Sequence, residues 1–306
     1  MSSNKRLRVA ALSLAGISLN QPEHYVASLV THLKELQVGL TVLPAHTSFL
    51  LCLSSGYLGQ ARDFLDSYRL FMSKSREWND HYLQIHSGVA EECGVYLVAG
   101  TTVEEVDGRF YHTSYCFGPD GAICCKQRQT HLSREERGLG MDRGDELQVF
   151  DIAEMKAGLV VGTDARHPEV SRIFALLGVD LIAHSGAIEA GHSSLTQPAG
   201  IWAQVQQNQV WGVEAQLNAS ICDRTFAAQC AIIGPCEVTC GSTGYLDRED
   251  TEKPFAAAEL IEADLHKIRG EYPLLRLLNP TAYRGKLPEL YGEAEGANTL
   301  RSGTVG

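Results

Sequence analysis

The sequence predicts an α/β protein, and three stretches carry that prediction. Residues 157–187 read as strand, sharp elbow, helix and strand, because an apolar run of strand length is broken by Gly162-Thr163-Asp164 and followed by helical spacing. The opening, residues 7–43, repeats the strand–helix–strand pattern. Residues 110–128 read as an antiparallel hairpin, two strand-length runs joined at Pro119-Asp120-Gly121.

Taken in order, residues 7–14 form the first buried strand. Pro22 suits the first turn of a helix, where its missing N–H costs nothing. That helix carries Val26, Leu29, Val30, Leu33 and Leu36 and ends at Gly39. Residues 40–43 are the second strand, closed by Pro44. Residues 58–93 read as one or two helices with a charged break near Lys74–Arg76, and residues 95–103 as a strand. After the hairpin strands 110–117 and 122–128, the polar, turn-rich residues 133–147 read as a loop long enough to rim a site. Residues 157–161 are a buried strand. Pro168 opens a helix whose stripe of Val170, Ile173, Phe174 and Leu177 buries one face, and Gly178 ends it as a left-handed cap. Residues 179–183 are the next strand. A helix over 195–209 and strands over 210–218 and 229–234 follow; a turn at Pro235-Cys236-Glu237 and a last strand over 259–264 are implied by the resemblance described below. Residues 292–306 lack apolar periodicity and read as a loose tail.

The chain has 306 residues, 44% of them hydrophobic, enough for a sizeable core. A formal charge of -11 and a pI near 5.5 argue against nucleic acid and anionic membrane surfaces as partners. The basic start, MSSNKRLR, leads into a strand-length pattern, so no signal peptide is read there. Nine cysteines without a CxxC pair suit reduced thiols in a cytoplasmic protein.

The segment GTDARHPE resembles the C-Y-D-x-R-x-P-E segment of the nitrilase superfamily, the carbon–nitrogen hydrolases, with Asp164, Arg166, Pro168 and Glu169 in matching places. RQTHL resembles that family's R-K-x-H-L through Arg128, His131 and Leu132. The second strand resembles one that ends in Pro-Glu, here Pro44-Ala45. The likeness runs over roughly residues 7–291, which makes one domain over 1–291 the economical reading. It implies a four-layer α-β-β-α sandwich, two facing sheets with helices outside, and a homodimer or larger even-numbered assembly.

The resemblance also implies a Glu-Lys-Cys triad: a base that takes the thiol proton, a lysine that stabilises the oxyanion, and a thiolate nucleophile. At those places the chain has Ala45, Gln129 and Gly162. Removing one charge of a buried Glu–Lys pair strands the other at roughly 3–5 kcal/mol, whereas removing both avoids that cost. Ordinary cysteine-dependent hydrolysis of amides or nitriles is therefore not expected, since losing a nucleophile costs on the order of a millionfold.

What remains is a set of histidines and carboxylates in the matched segments. His46, His131, Thr163, Asp164, His167 and His184 are candidates for the pocket, with Glu135 or Glu136 supplying the carboxylate that in the family orients the lysine and substrate; His192 and Glu189 lie close by in sequence. They admit a rebuilt acid–base site or a structural reading, in which His131, Asp164, Arg166 and Glu169 hold the elbow by hydrogen bonds. No pair has a compact ligand spacing such as HxxxH, so no metal or cofactor is expected. Three functional readings follow: a family member without the old catalysis that binds a small ligand or partner, an enzyme of different chemistry in the same pocket, and a hydrolase with a relocated nucleophile.

Overall fold

The computed structural model describes residues 5–58, 63–189, 200–285 and 287. The elements are β1 (Arg6–Leu12), α1 (Pro22–Leu36), β2 (Leu40–Val42), α2 (Thr47–Ser54), α3 (Phe64–Cys93), β3 (Tyr96–Val106), β4 (Arg109–Phe117), β5 (Ile123–Arg128), α4 (Arg134–Gly138) and β6 (Met141–Asp142). They continue with β7 (Val149–Ile152), β8 (Met155–Val161), a 3-10 turn (Gly162–Arg166), α5 (Pro168–Leu176), β9 (Leu181–Gly186), α6 (Trp202–Asn208), β10 (Trp211–Gln216), β11 (Asn218–Ile221), β12 (Arg224–Ala227), β13 (Ala231–Ile233), β14 (Tyr245–Arg248), β15 (Phe255–Ile261) and α7 (Glu262–Glu271). These belong to a compact unit ending at Glu271; a second unit begins at Tyr272 and contains a 3-10 turn (Leu274–Leu277) and α8 (Pro280–Arg284).

The strands form two main sheets. One runs β15-β1-β2-β3-β4-β5 with β6 beside β4; the other runs β14-β13-β10-β9-β8-β7. Alternation along the strands sorts their side chains. Val9, Ala11, Val42 and Val98 of the first sheet meet Leu159, Ala183, Val213 and Ala215 of the second in an apolar layer between the sheets. On the other side of the first sheet, Leu97, Ala99 and Val103 pack with Leu29 and Leu33 of α1 and Phe71, Tyr82 and Val89 of α3. Helices α5 and α6 pack on each other, and Phe174 of α5 meets β8, where an added Cβ on Gly158 would lie 2.7 Å from its ring. The result is the expected α-β-β-α sandwich.

Several boundaries depart from the sequence reading. Residues 64–93 form one unbroken helix. Lys74 and Arg76 interrupt nothing, because both lie on its exposed face while Ser75 between them is buried. An unforeseen helix, α2, follows Pro44-Ala45-His46; its apolar residues are buried almost all round, so it has no amphipathic signature. The stripe expected on α5 is only half buried: Val170 and Phe174 are inside, whereas Ile173 and Leu177 are 45% and 53% exposed. Gly178 does adopt the left-handed conformation, with φ +86°. The last strand ends at Ile261, and Glu262 begins α7. Within residues 133–147 a capping box between Ser133 and Glu136 starts α4. Of the helix expected over 195–209, Trp202–Asn208 is observed; residues 195–199, His192 and the 292–306 tail lie outside the described residues. Among those described, no helix is long and apolar enough to cross a membrane.

Candidate functional site: the cavity at the elbow

The C-terminal ends of the parallel strands β2, β8 and β9 lie beside one another across the two sheets. Ala45 N–H donates to Gly186 O at 3.1 Å and Ser185 Oγ donates to Leu43 O at 2.8 Å, which joins the sheets at this end. Strand ends of this kind are where open α/β sheets place ligands. A cavity of about 260 Å³ opens there, lined by residues that include Ala45, His46, Phe64, Tyr68, His112, Glu135, Glu136, Gly162, Thr163, Arg166, His184, Glu189, Arg224 and Phe226.

Gly162 sits at the elbow with φ +50°. A Cβ built on it would lie 2.8 Å from Gln129 Oε1, so the Gln129 carboxamide fills the space into which a side chain at 162 would project. That carboxamide is saturated. Its oxygen accepts from His112 Nδ1 at 2.7 Å, and its nitrogen lies 2.9 Å from His131 O, 2.9 Å from Glu136 Oε2 and 2.8 Å from Thr163 Oγ1. The Thr163 hydroxyl donates to His131 O at 2.6 Å. Ala45 and Gly162 thus face one cavity, with Gln129 directly behind Gly162.

Asp164 points away from the cavity. Its buried carboxylate accepts from Thr130 N–H at 3.0 Å, His131 N–H at 2.7 Å and the Thr130 hydroxyl at 2.9 Å, and faces His131 Nδ1 at 3.1 Å. His131 stacks on His167 with centroids 3.9 Å apart. These three residues brace the elbow from behind and are not on the cavity wall. Burial lowers the His167 pKa, and the neighbouring His131 adds to this.

Glu136 and Glu135 diverge. Glu136 faces inward: Oε1 is 3.0 Å from His112 Nδ1, and Oε2 accepts from Ser133 N–H at 2.7 Å. Burial pushes its pKa up, but the hydrogen bond and charge of His112 and the contacts with Ser133 outweigh that and hold it at about 2. Glu135, also on the lining, takes both ends of the Arg224 guanidinium, which lies 4.4 Å over the Phe64 ring. Arg224 belongs to the β11–β12 hairpin, which joins neither main sheet.

Each cavity histidine has a distinct setting. His184 places Nδ1 2.8 Å from Glu214 Oε1 and Nε2 3.1 Å from Gly162 O. His112 turns Nε2 to Thr101 Oγ1 at 2.7 Å. His46 makes neither kind of contact. Its ring stacks on His112 at 5.5 Å, meets Phe49, Phe64 and Tyr68 edge-on, and leaves Nδ1 buried without a partner. Burial, with the nearby His112, pushes its pKa down to about 3. His112, Tyr68, Phe226, Arg224 and Glu214 are site residues that the sequence reading missed. His112 and Glu214 lie in strands with no local motif, and the other three come from a helix and a hairpin that meet only in the fold.

Residues 52–245 match the family described as carbon-nitrogen hydrolase. The chain belongs to that family. Among carbon–nitrogen hydrolases, the omega-amidase NIT2-B of Xenopus laevis is 27% identical over 208 residues, covering 65% of this chain and 74% of the relative. The human omega-amidase NIT2 is 27% identical over 198 residues, covering 62% and 70%. Of solved structures, the carbon-nitrogen hydrolase of Helicobacter pylori G27 superposes with a TM-score of 0.73 at 19% identity, covering 91% of this chain and 97% of that one. Saccharomyces cerevisiae Nit3, a member of branch 10 of the nitrilase superfamily, gives 0.70 at 20%, covering 88% and 95%. An amidase from Nesterenkonia sp. AN1, solved with the acetamide moiety of fluoroacetamide added at its active site cysteine, gives 0.66 at 18%, covering 89% and 97%. These structural likenesses carry the fold.

Proposed function

We propose that this carbon–nitrogen hydrolase family member has Ala45, Gln129 and Gly162 in place of the Glu-Lys-Cys triad, does not hydrolyse amides or nitriles by the cysteine mechanism, and binds a small molecule in the cavity at the elbow. The observation that carries the reading is the packing of Gln129 against Gly162, 2.8 Å from any added Cβ. The nucleophile's seat is filled by a carboxamide, not left open. Thr163, the adjacent hydroxyl, is spent on Gln129 and His131 O, and so does not supply a relocated nucleophile. The Nesterenkonia amidase forms its adduct on a cysteine, a side chain this elbow lacks.

The acid–base alternative needs an imidazole with one nitrogen on a carboxylate and the other offered to the cavity. His112 and His184 have their carboxylates, Glu136 and Glu214, but their second nitrogens go to Thr101 and to Gly162 O. His131 has Asp164 but is off the cavity wall. This favours binding over turnover. A homodimer belongs to the same proposal, supported by Ile173, Leu176 and Leu177 exposed together on α5. A cytoplasmic location is supported by nine free cysteines. Light scattering at micromolar concentration tests the dimer; a monomer refutes it.

The functional test is intact mass after incubation with activated acyl donors, alongside ammonia release from amides and nitriles, with the human omega-amidase as positive control. No adduct in the cavity and no ammonia are expected. An adduct mapped to a cavity residue overturns the reading.

A further inference from the structure

We propose that the Tyr68 hydroxyl donates a hydrogen bond to an uncharged oxygen, of the ketone or aldehyde type, on a small one-ring ligand seated against the aromatic wall of this cavity. The inference rests on the ligand-binding reading above and names the ligand class and the residue that orients it.

Buried tyrosines give their hydroxyls a partner, because a donor left unpaired away from water costs free energy. The two fully buried tyrosines follow that rule. The Tyr25 hydroxyl lies 2.9 Å from His86 Nε2, and the Tyr82 hydroxyl donates to Ala99 O at 3.0 Å. Tyr68 breaks it. The residue is 3% exposed, yet its hydroxyl makes no hydrogen bond with any of the described residues. Its oxygen is not sealed in, as Nδ1 of His46 is, and the space beside it is the cavity that Tyr68 lines. The phenol therefore holds a donor in reserve on the cavity wall.

That donor is fixed in place and in protonation. Tyr68 sits in the second turn of α3, stacked on Phe64 at 5.7 Å and 21°, with Phe49 and Phe71 edge-on at 5.0 and 5.8 Å. The hydrogen can rotate about the C–O bond, but the oxygen cannot leave its position, so little ordering remains to be done when a ligand arrives. Burial raises the phenol's pKa, and the negative charge of nearby Glu136 adds to this, so Tyr68 keeps its proton across the physiological range.

The surroundings select the acceptor. An anionic oxygen at this point would meet the same field of Glu136 that helps to hold the Tyr68 proton. An ammonium has no lone pair and would leave the phenol proton unpaired. An uncharged carbonyl oxygen meets the donor without either cost. The body of the ligand is set by Phe64, Tyr68 and Phe226 on the same lining, where an aromatic pair gains about 0.5–1.5 kcal/mol beyond area burial. At about 260 Å³ the cavity falls just under the usual range for drug-sized ligands, which suits a single ring.

Acetophenone and α-methylstyrene test this, since they share shape and differ in an oxygen against a methylene. Ligand-detected NMR titration of the full chain is expected to give acetophenone about fivefold tighter binding, the worth of one net hydrogen bond. 1-Phenylethylamine, cationic at neutral pH, should bind no tighter than acetophenone. In Tyr68→Phe, which removes only the unpartnered oxygen, the acetophenone and α-methylstyrene affinities should converge while the urea midpoint stays where it was. Equal affinities in the unaltered chain, tighter binding of the amine, no acetophenone binding up to millimolar concentration, a gap that survives Tyr68→Phe, or a lowered midpoint in that variant each overturn the proposal. None of these results involves an acyl adduct or ammonia, so failure here is distinguishable from failure of the non-hydrolytic reading.

Discussion

The two sides of the cavity are built on opposite rules. On the elbow side, the polar groups of Gln129, Thr163 and His184 are consumed by the protein: the Gln129 carboxamide alone meets His112, His131 O, Glu136 and Thr163, and His184 bridges Glu214 and Gly162 O. On the opposite side, His46 sits among Phe49, Phe64, Tyr68 and Phe226 with its ring polar atoms unclaimed. A saturated network has no capacity left for a substrate and contributes rigidity. An aromatic wall with one imidazole free of hydrogen bonds has the make-up of a ligand pocket's lining. In this chain the elbow side is held together by the protein's own hydrogen bonds, whereas the His46 side keeps ring nitrogens that no group of the described residues engages.

That contrast can be broken at its strongest point first. Asp164→Ala leaves Thr130 N–H and His131 N–H without their acceptor, and should cost roughly 2–6 kcal/mol at 1–3 kcal/mol per unsatisfied group. Urea unfolding measures it, and a loss below about 1 kcal/mol would show that the elbow is not held by this carboxylate.

Acid probes two buried imidazoles, His46 on the aromatic side of the cavity and His86 in the core against Tyr25 and Tyr82. His46 and His86 are buried neutral, with pKa values of about 3 and about 4 against a usual 6.5. Below pH 6.5 the unfolded chain takes up two protons that the folded chain refuses, so stability falls with decreasing pH at up to about 1.4 kcal/mol per group per pH unit. Between pH 7 and pH 5 the loss should be about 4 kcal/mol. Glu136, held at about 2, adds its own loss only below about pH 4.5. A stability that stays flat down to pH 5 would mean that these rings accept protons in the fold.

Gly162→Ala sharpens the account of the elbow. Strain at φ +50° and the 2.8 Å approach to Gln129 should together cost about 2–3 kcal/mol. In a Gln129→Ala background the steric part disappears, leaving about 1 kcal/mol. Equal costs in both backgrounds would show that Gln129 does not fill the space. The smallest effect is expected at the half-exposed Glu135–Arg224 pair, where Glu135→Gln should change stability by less than about 1 kcal/mol.

Local chemistry explains which of these features the sequence revealed. The elbow was legible because its residues are contiguous, and so were the hairpin turn at 119–121 and the left-handed Gly178. The sandwich followed from family motifs spread along the chain, not from periodicity. His46 was noticed only as the neighbour of Ala45; its aromatic surroundings come from α2, α3 and β12, far apart in sequence. His112 escaped because a polar residue within a buried strand carries no spacing signal, and its partners Gln129 and Glu136 are 17 and 24 residues away. α5 misled because its apolar stripe was assumed to face inward, whereas Ile173 and Leu177 lie outside.

The β11–β12 hairpin joins neither main sheet, though Phe226 makes one antiparallel bridge with Glu189, and it brings Phe226 and Arg224 to the cavity. It is fastened by side contacts: Asp223 Oδ1 accepts Phe64 N–H at 2.8 Å, Arg224 grips Glu135, and Ala227 N–H reaches Ile188 O. A segment anchored in this way can accumulate changes without disturbing the register of either sheet. Diversification of ligand preference among close homologues should therefore concentrate in these ten residues while the sandwich stays constant, and grafting the segment between two such chains is the direct way to exchange what they recognise.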